Sequence, residues 1–245
     1  MRSIITLAAA AMLLAAAPAL AGTDMETPGA PCVPGGGVGT GNPCNGNNGN
    51  PSPEGNAQEK VHYDKHPDPF TIGRPGNDRG AYITQAGDQD NAAIHQTANT
   101  QYARIDQSGD QNDANVEQTG NGAHYALSSQ TGDFNELDLA QSGAGVKVAF
   151  TEQTGDFNEM SLTQQGGTIS SGVAATQLGN GNSMALLQSG DNNQARLTQD
   201  GSGNAMTASQ TGGNNQLTWT QTGDNLSDLG ISQTGGQALL VTQSR

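Results

Sequence analysis

Basic residues are scarce in this 245-residue chain. It holds 9 Lys plus Arg against 23 Asp plus Glu, a formal net charge of -14. Phosphate binding needs clustered cationic side chains, so this balance argues against nucleic acid as a partner. Apolar matter is also thin: hydrophobic residues make up 33% and aromatic residues 4%. A large globular core is therefore excluded, and by composition alone much of the chain reads as disordered. There are only two cysteines, Cys32 and Cys44. Catalytic motifs are missing too. None of His62, His66, His95 and His124 sits beside a nucleophile elbow or a zinc-binding helix motif, so the reading is a non-enzyme with no cofactor.

Long hydrophobic runs occur once. Arg2, the apolar stretch from Ile4 to Ala17 and the small-residue motif Ala19-Leu20-Ala21 read as a signal peptide over residues 1–21. The run is too short and too rich in alanine for a membrane span. The chain is expected to be exported, with no span in what remains. Every proline except Pro18 lies between Pro28 and Pro75, among many Gly and Asn. Residues 22–78 thus read as a disordered leader, a flexible linker or address. Cys32 and Cys44 could close a small loop there in an oxidising compartment, or cross-link two chains.

What the chain has in abundance is a period. A glutamine returns about every eleven residues: Gln85, Gln96, Gln107, Gln118, Gln130, Gln141, Gln153, Gln164, Gln177, Gln188, Gln199, Gln210, Gln221, Gln233 and Gln243. Such a short period means one small unit stacked many times. All of these glutamines except Gln96 and Gln243 carry Gly two residues later. Four residues before each, the side chain is apolar, from Ala81 through Leu137 and Met160 to Leu239. Two residues before, it is apolar except at Ser128 and Thr151. Six residues before stand Asn112, Asn135, Asn158, Asn182, Asn193, Asn204 and Asn215. Spacing of two is the strand period, which puts Asn, both apolar residues and Gln on one face. The Gly-, Asp- and Asn-rich remainder forms a tight reversal.

Residues 79–245 are accordingly read as an all-β solenoid of about seven two-strand coils. Leu139, Leu162, Leu197 and Trp219 should point inward, and Asp138, Ser161, Arg196 and Thr218 outward. At Ser128 and Thr151 the expectation is a shift by one residue, which turns Tyr125 and Leu127, and Val148 and Phe150, inward. The Asn and Gln amides, which both donate and accept, should stack as ladders at the ~4.8 Å strand spacing. The expected members are Asn112, Gln118, Asn135, Gln141, Asn158, Gln164, Asn182, Gln188, Asn193, Gln199, Asn204, Gln210, Asn215 and Gln221. Turn residues Asp88, Asp110, Asp133, Asp156, Asp191 and Asp224 suit the turn itself; the calcium nonapeptide has a different period and form. No metal site is expected.

The blocks Gln107-Ser-Gly-Asp-Gln-Asn112-Asp-Ala114-Asn-Val116-Glu-Gln118 and Gln188-Ser-Gly-Asp-Asn-Asn193-Gln-Ala195-Arg-Leu197-Thr-Gln199 resemble the curlin repeat of bacterial curli fibres. The resemblance covers roughly residues 79–245. It implies a β-solenoid with two strands and two turns per coil, secretion through an outer-membrane pore, and assembly with itself and other curlin subunits. The product would be extracellular amyloid fibres serving adhesion and biofilm. In curlin repeats Ser usually opens one strand and Asn the other; here Asn opens strands on both sides, with Ser171 and Ser227 among the few serines. Major subunit, nucleator and accessory subunit all stay open.

The array ends point the same way. A solenoid has an unpaired strand edge at each end unless it is capped. The last unit, Gln237 to Gln243, and the first, at Ala81-Tyr82-Ile83, carry no evident cap, so head-to-tail stacking into a homopolymer is expected. An ice-binding solenoid is the alternative, on the traces Thr84, Thr176, Thr198, Thr220 and Thr242, which Asp106 and Glu152 interrupt.

Overall fold

The computed structural model describes residues 59–65 and 67–245. The expected signal peptide 1–21, His66 and both cysteines lie outside them. The described residues contain β-strands and no helix, so none crosses a membrane as a helix. In chain order the strands are β1 (Lys60–Asp64), β2 (Gly80–Ala86), β3 (Asn91–Gln96), β4 (Tyr102–Ser108), β5 (Asp113–Thr119), β6 (Tyr125–Thr131), β7 (Glu136–Ser142) and β8 (Lys147–Thr154). There follow β9 (Glu159–Gln165), β10 (Ser171–Leu178), β11 (Ser183–Ser189), β12 (Gln194–Asp200), β13 (Ala205–Thr211), β14 (Gln216–Thr222), β15 (Ile231–Thr234) and β16 (Ala238–Ser244).

From β2 onward, even-numbered strands stack in one sheet and odd-numbered strands in the other, and β1 joins the even-numbered sheet. The nine-stranded sheet runs β1-β16-β14-β12-β10-β8-β6-β4-β2, and the seven-stranded sheet runs β15-β13-β11-β9-β7-β5-β3. Every pairing between coils is parallel and in register, so Gln177 faces Gln199 and Gln199 faces Gln221. The chain is a β-solenoid of seven two-strand coils, from β2–β3 to β14–β15, with β16 as a further half coil. The inward side chains of both sheets form one narrow core, including Leu139, Leu162, Leu197 and Trp219, all buried. Asp138, Ser161 and Arg196 face solvent. Parallel sheets are normally buried on both faces; here the amides described below supply the cohesion that apolar area does not.

The turns explain the glycines. Gly109 has φ 125°, and two residues on Gln111 also has positive φ, at 60°. The same pair recurs at Gly132 and Phe134. A Cβ on Gly109 would sit 2.1 Å from the carbonyl oxygen of Gly132 in the next coil. Both the backbone conformation and the spacing between coils therefore require glycine there.

Two expectations need correction. The register does not shift at Ser128 and Thr151: Ile105, Ser128, Thr151 and Ala175 stack as one inward column. Both hydroxyls are buried with no hydrogen-bond partner. A shift would have separated Gln130 and Gln153 from the glutamine ladder and Ala126 and Ala149 from the core, so the ladder wins over two orphaned hydroxyls. Tyr125, Val148, Leu127 and Phe150 stay on the outer face, where Tyr125 and Val148 pack with Ile72.

Part of the stretch assigned to the disordered leader is, moreover, structured. Lys60–Asp64 forms β1, the one antiparallel strand among the described residues, paired with β16 at the C-terminal end of the array. The chain then returns along the flank of the nine-stranded sheet to begin β2. Gln216 donates to the Phe70 carbonyl (3.3 Å), and the Ile72 amide donates to Gln194 Oε1 (2.8 Å). Arg196 lies over the Phe70 ring and Arg74 over the Tyr125 ring. Arg74 also donates to the carbonyls of Thr100 and Ala123. An extended chain covers ~3.3 Å per residue, so the stretch from Asp64 to Gly80 suffices to cross seven coils spaced ~4.8 Å apart. This flanking strap exists because outward apolar residues occur on successive coils of that face.

Candidate functional site: amide ladders and array edges

The glutamines form two ladders, one per sheet. In the nine-stranded sheet Gln85 Nε2 donates to Gln107 Oε1 (2.8 Å), and the chain continues through Gln130, Gln153, Gln177, Gln199 and Gln221 to Gln243, with links of 2.7–3.0 Å. In the other sheet the ladder runs Gln96, Gln118, Gln141, Gln164, Gln188, Gln210 and Gln233, with links of 2.8–2.9 Å. Each amide always donates toward the C-terminal end. The second N–H of many glutamines crosses to the opposite sheet: Gln118 donates to the Tyr102 carbonyl and Gln199 to the Ser183 carbonyl. The ladders therefore bind coil to coil and also sheet to sheet.

The asparagines sit where strands begin. Asn112, Asn135, Asn158 and Asn182 form a ladder with links of 3.0–3.1 Å, and Asn204 joins through its backbone N–H to Asn182 Oδ1 (3.0 Å). Asn193 and Asn215 pair at 3.0 Å in the other sheet. These amides donate toward the N-terminal end, opposite to the glutamines. Asn135 also donates to the Gly155 carbonyl of the adjacent turn (2.7 Å). The column that Asn193 and Asn215 occupy is mixed farther down. His124 and Lys147 are buried in it, and the Lys147 amide donates to His124 Nδ1 (3.2 Å) while His124 Nε2 meets the Thr119 carbonyl. Burial lowers the pKa of both side chains, the charge of Asp191 opposing it at Lys147, whose Nζ has no hydrogen-bond partner.

The turn carboxylates make a further ladder that sequence reading did not foresee. The Asp88 amide donates to Asp110 Oδ1, Asp110 to Asp133 Oδ1 and Asp133 to Asp156 Oδ1, at 2.8–2.9 Å. Their period was visible, but only stacked coils give each oxygen its donor. On the outer face of the nine-stranded sheet Thr176, Thr198, Thr220 and Thr242 form one rank, continued by Glu152 rather than threonine.

The two ends differ. At the N-terminal end Ala81, Ile83 and Gln85 are exposed, although their column is buried in later coils; Ile83 is 45% exposed. At the C-terminal end Val241 and Gln243 are fully buried. There β1 covers β16, and Glu59 closes the ladder. Its Oε1 accepts from Gln243 Nε2, and its Oε2 accepts from the Ser227 hydroxyl (2.9 Å) and amide (3.3 Å). Burial alone would raise the pKa of this carboxyl; hydrogen bonds from Gln243 and Ser227, with the charge of Arg245, outweigh it and hold the group below the usual glutamate range. Sequence reading missed Glu59 and β1. The alternation Val61-x-Tyr63 was the one available signal.

Comparison with protein families finds the curlin associated repeat at residues 87–120, 179–212 and 190–223. No curated protein and no solved structure gives a match. The matched segments begin at glycines of the turns and span the ladder glutamines and asparagines between them. The array is a β-solenoid, and its segments 87–120 and 179–223 match the curlin associated repeat.

Proposed function

We propose that the chain is a secreted structural subunit of extracellular curli-like amyloid fibres, serving adhesion and biofilm matrix, with no catalytic role. Copies add head to tail through the array ends, other curlin subunits join the same fibre, and an outer-membrane pore exports the chain. The observation that carries this reading is the match between the ends. β2 and β16 each have seven residues, and the 22-residue register that pairs β14 with β16 would set Val241 against Ile83 and Gln243 against Gln85 of a second copy. The donor direction supports it too: the last glutamine offers Nε2 just where the first of another copy offers Oε1. Such stacking does not close on itself and so yields filaments.

The test is direct. The chain from residue 22 is purified unfolded, returned to neutral buffer and followed with a thioflavin-type dye and fibre diffraction. Seedable fibres with reflections at ~4.8 Å and ~10 Å are expected. A chain that folds and stays monomeric with seeds present overturns the reading.

A further inference from the structure

We propose that β1, with Glu59, is an intramolecular stand-in for the first coil of a second copy, and that it holds the C-terminal edge shut until that copy displaces it. This rests on the head-to-tail reading above.

Three observations place the stand-in. First, β1 pairs with the free side of β16, from Lys60 opposite Ser244 to Asp64 opposite Leu240, which is the edge an incoming β2 needs. Second, Glu59 takes over the role of a ladder glutamine. Along the ladder each Nε2 finds the Oε1 of the next coil, as Gln199 finds Gln221 (2.9 Å); Gln243 Nε2 finds Glu59 Oε1. Third, the cap is a poorer neighbour than a coil. It has five residues against seven, it is antiparallel, and it covers one sheet only, leaving β15 at the edge of the other. Its residues opposite Gln243 and Val241, namely Val61 and Tyr63, remain 38% and 52% exposed. An incoming copy supplies β16 with a parallel seven-residue strand and Gln243 with a real glutamine, so exchange is favourable.

The strap explains why the stand-in is present in every copy. Phe70, Ile72 and Arg74 fasten residues 67–78 along the flank, so β1 stays beside the edge it covers. A lone chain is thereby protected from edge-to-edge association. Capping should act on growth in the manner of any competing equilibrium: an edge closed about nine-tenths of the time lowers the competent fraction about tenfold.

The experiment pins the cap shut and then loosens it. In a Cys32→Ser, Cys44→Ser background, His62→Cys and Thr242→Cys are introduced at directly paired positions that face away from the core. Seeded elongation of the chain from residue 22 is measured oxidised and reduced. Oxidised copies should not propagate, and substoichiometric amounts should arrest the parent protein; reduction should restore growth. Val61→Pro with Tyr63→Pro, which cannot form the strand pairing, should elongate about tenfold faster than the parent. Circular dichroism should show the same β-signal for all variants, since the substitutions lie outside the core. Equal growth of oxidised and reduced copies, or no acceleration by the proline pair, overturns the cap and leaves head-to-tail assembly standing. Failure of every form, parent included, to extend seeds removes the head-to-tail reading and the cap with it.

Discussion

The first coil and the last half coil carry the same sequence pattern and stand in opposite states. In β2 the column residues Ala81, Ile83 and Gln85 are exposed; in β16 Val241 and Gln243 are buried. The difference does not come from the repeats. It comes from Glu59 and β1, which lie before the array in sequence and beyond its far end in space. A core position in a stacked coil is thus defined by what lies above it as much as by its own side chain. An edge is bare or covered according to a short segment outside the repeat.

Substitution at matched core positions should show the largest effect. Val241→Asp places an unpaired carboxylate in a buried column and should cost on the order of 3–5 kcal/mol, with Leu162→Asp similar. Ile83→Asp should cost under ~1 kcal/mol in the monomer, because the site is open, yet should abolish seeded growth. Urea unfolding of soluble chains checks the first, dye kinetics the second. Equal destabilisation at positions 83 and 241 would erase the contrast between the ends.

Turn glycines sharpen the contrast next. Gly132→Ala meets both a positive φ of 110° and the Gly155 carbonyl at 2.3 Å, and about 2–4 kcal/mol is the expected loss. Gly235, in the last turn, has φ 66° and nothing within 4 Å of a Cβ. There Gly235→Ala should cost only the conformational strain, about 1 kcal/mol. Thermal melts of the two variants, compared under conditions that suppress assembly, measure the difference.

The ladder should grade the same way. Gln141→Leu strands the Gln118 amide, which donates to its Oε1, and removes its own link to Gln164. A buried unsatisfied group costs about 1–3 kcal/mol. Gln85→Leu, at the open end, should change monomer stability by less than ~0.5 kcal/mol and act on elongation instead. Amide exchange would show the first as local loss of protection around β5 and β9.

The smallest effect belongs to the outer flank of the seven-stranded sheet, between the two ends. Asp113, Glu136 and Glu159 stack on adjacent strands, with Asp138 two residues along. Partial burial, then Glu159, Asp138 and Asp113, raise the pKa of Glu136. The folded chain therefore holds this proton more tightly than the unfolded chain. Its contribution to stability falls as pH rises through the window just above the ordinary glutamate range, and returns as pH falls. Glu136→Gln should raise stability at neutral pH by about 0.5 kcal/mol and flatten that pH slope in denaturant titrations.

Much of this was legible beforehand, for a physical reason. A parallel in-register stack repeats one environment in every coil, so period, glycine position and the inward set of Leu139, Leu162 and Trp219 follow from spacing alone. The reading failed where the environment was not repeated. At Ser128 and Thr151 local polarity suggested a shift, but a slip in one strand would have broken alignment with both neighbours. In β1 and the strap there was no repeat to read. Phe70 and Ile72 are ordered by an outward apolar patch that exists only once β4, β6, β8 and β10 lie side by side.

The sequence by itself determined a solenoid of two-strand coils and its register in most units. These are consequences of a period of about eleven and alternation by two. Tertiary structure alone decided the rest: which direction each ladder donates, which turn oxygens find a backbone N–H, and which end is closed. Those features depend on contacts between residues as far apart as Glu59 and Gln243, and no local pattern encodes a partner that the fold itself must bring within reach.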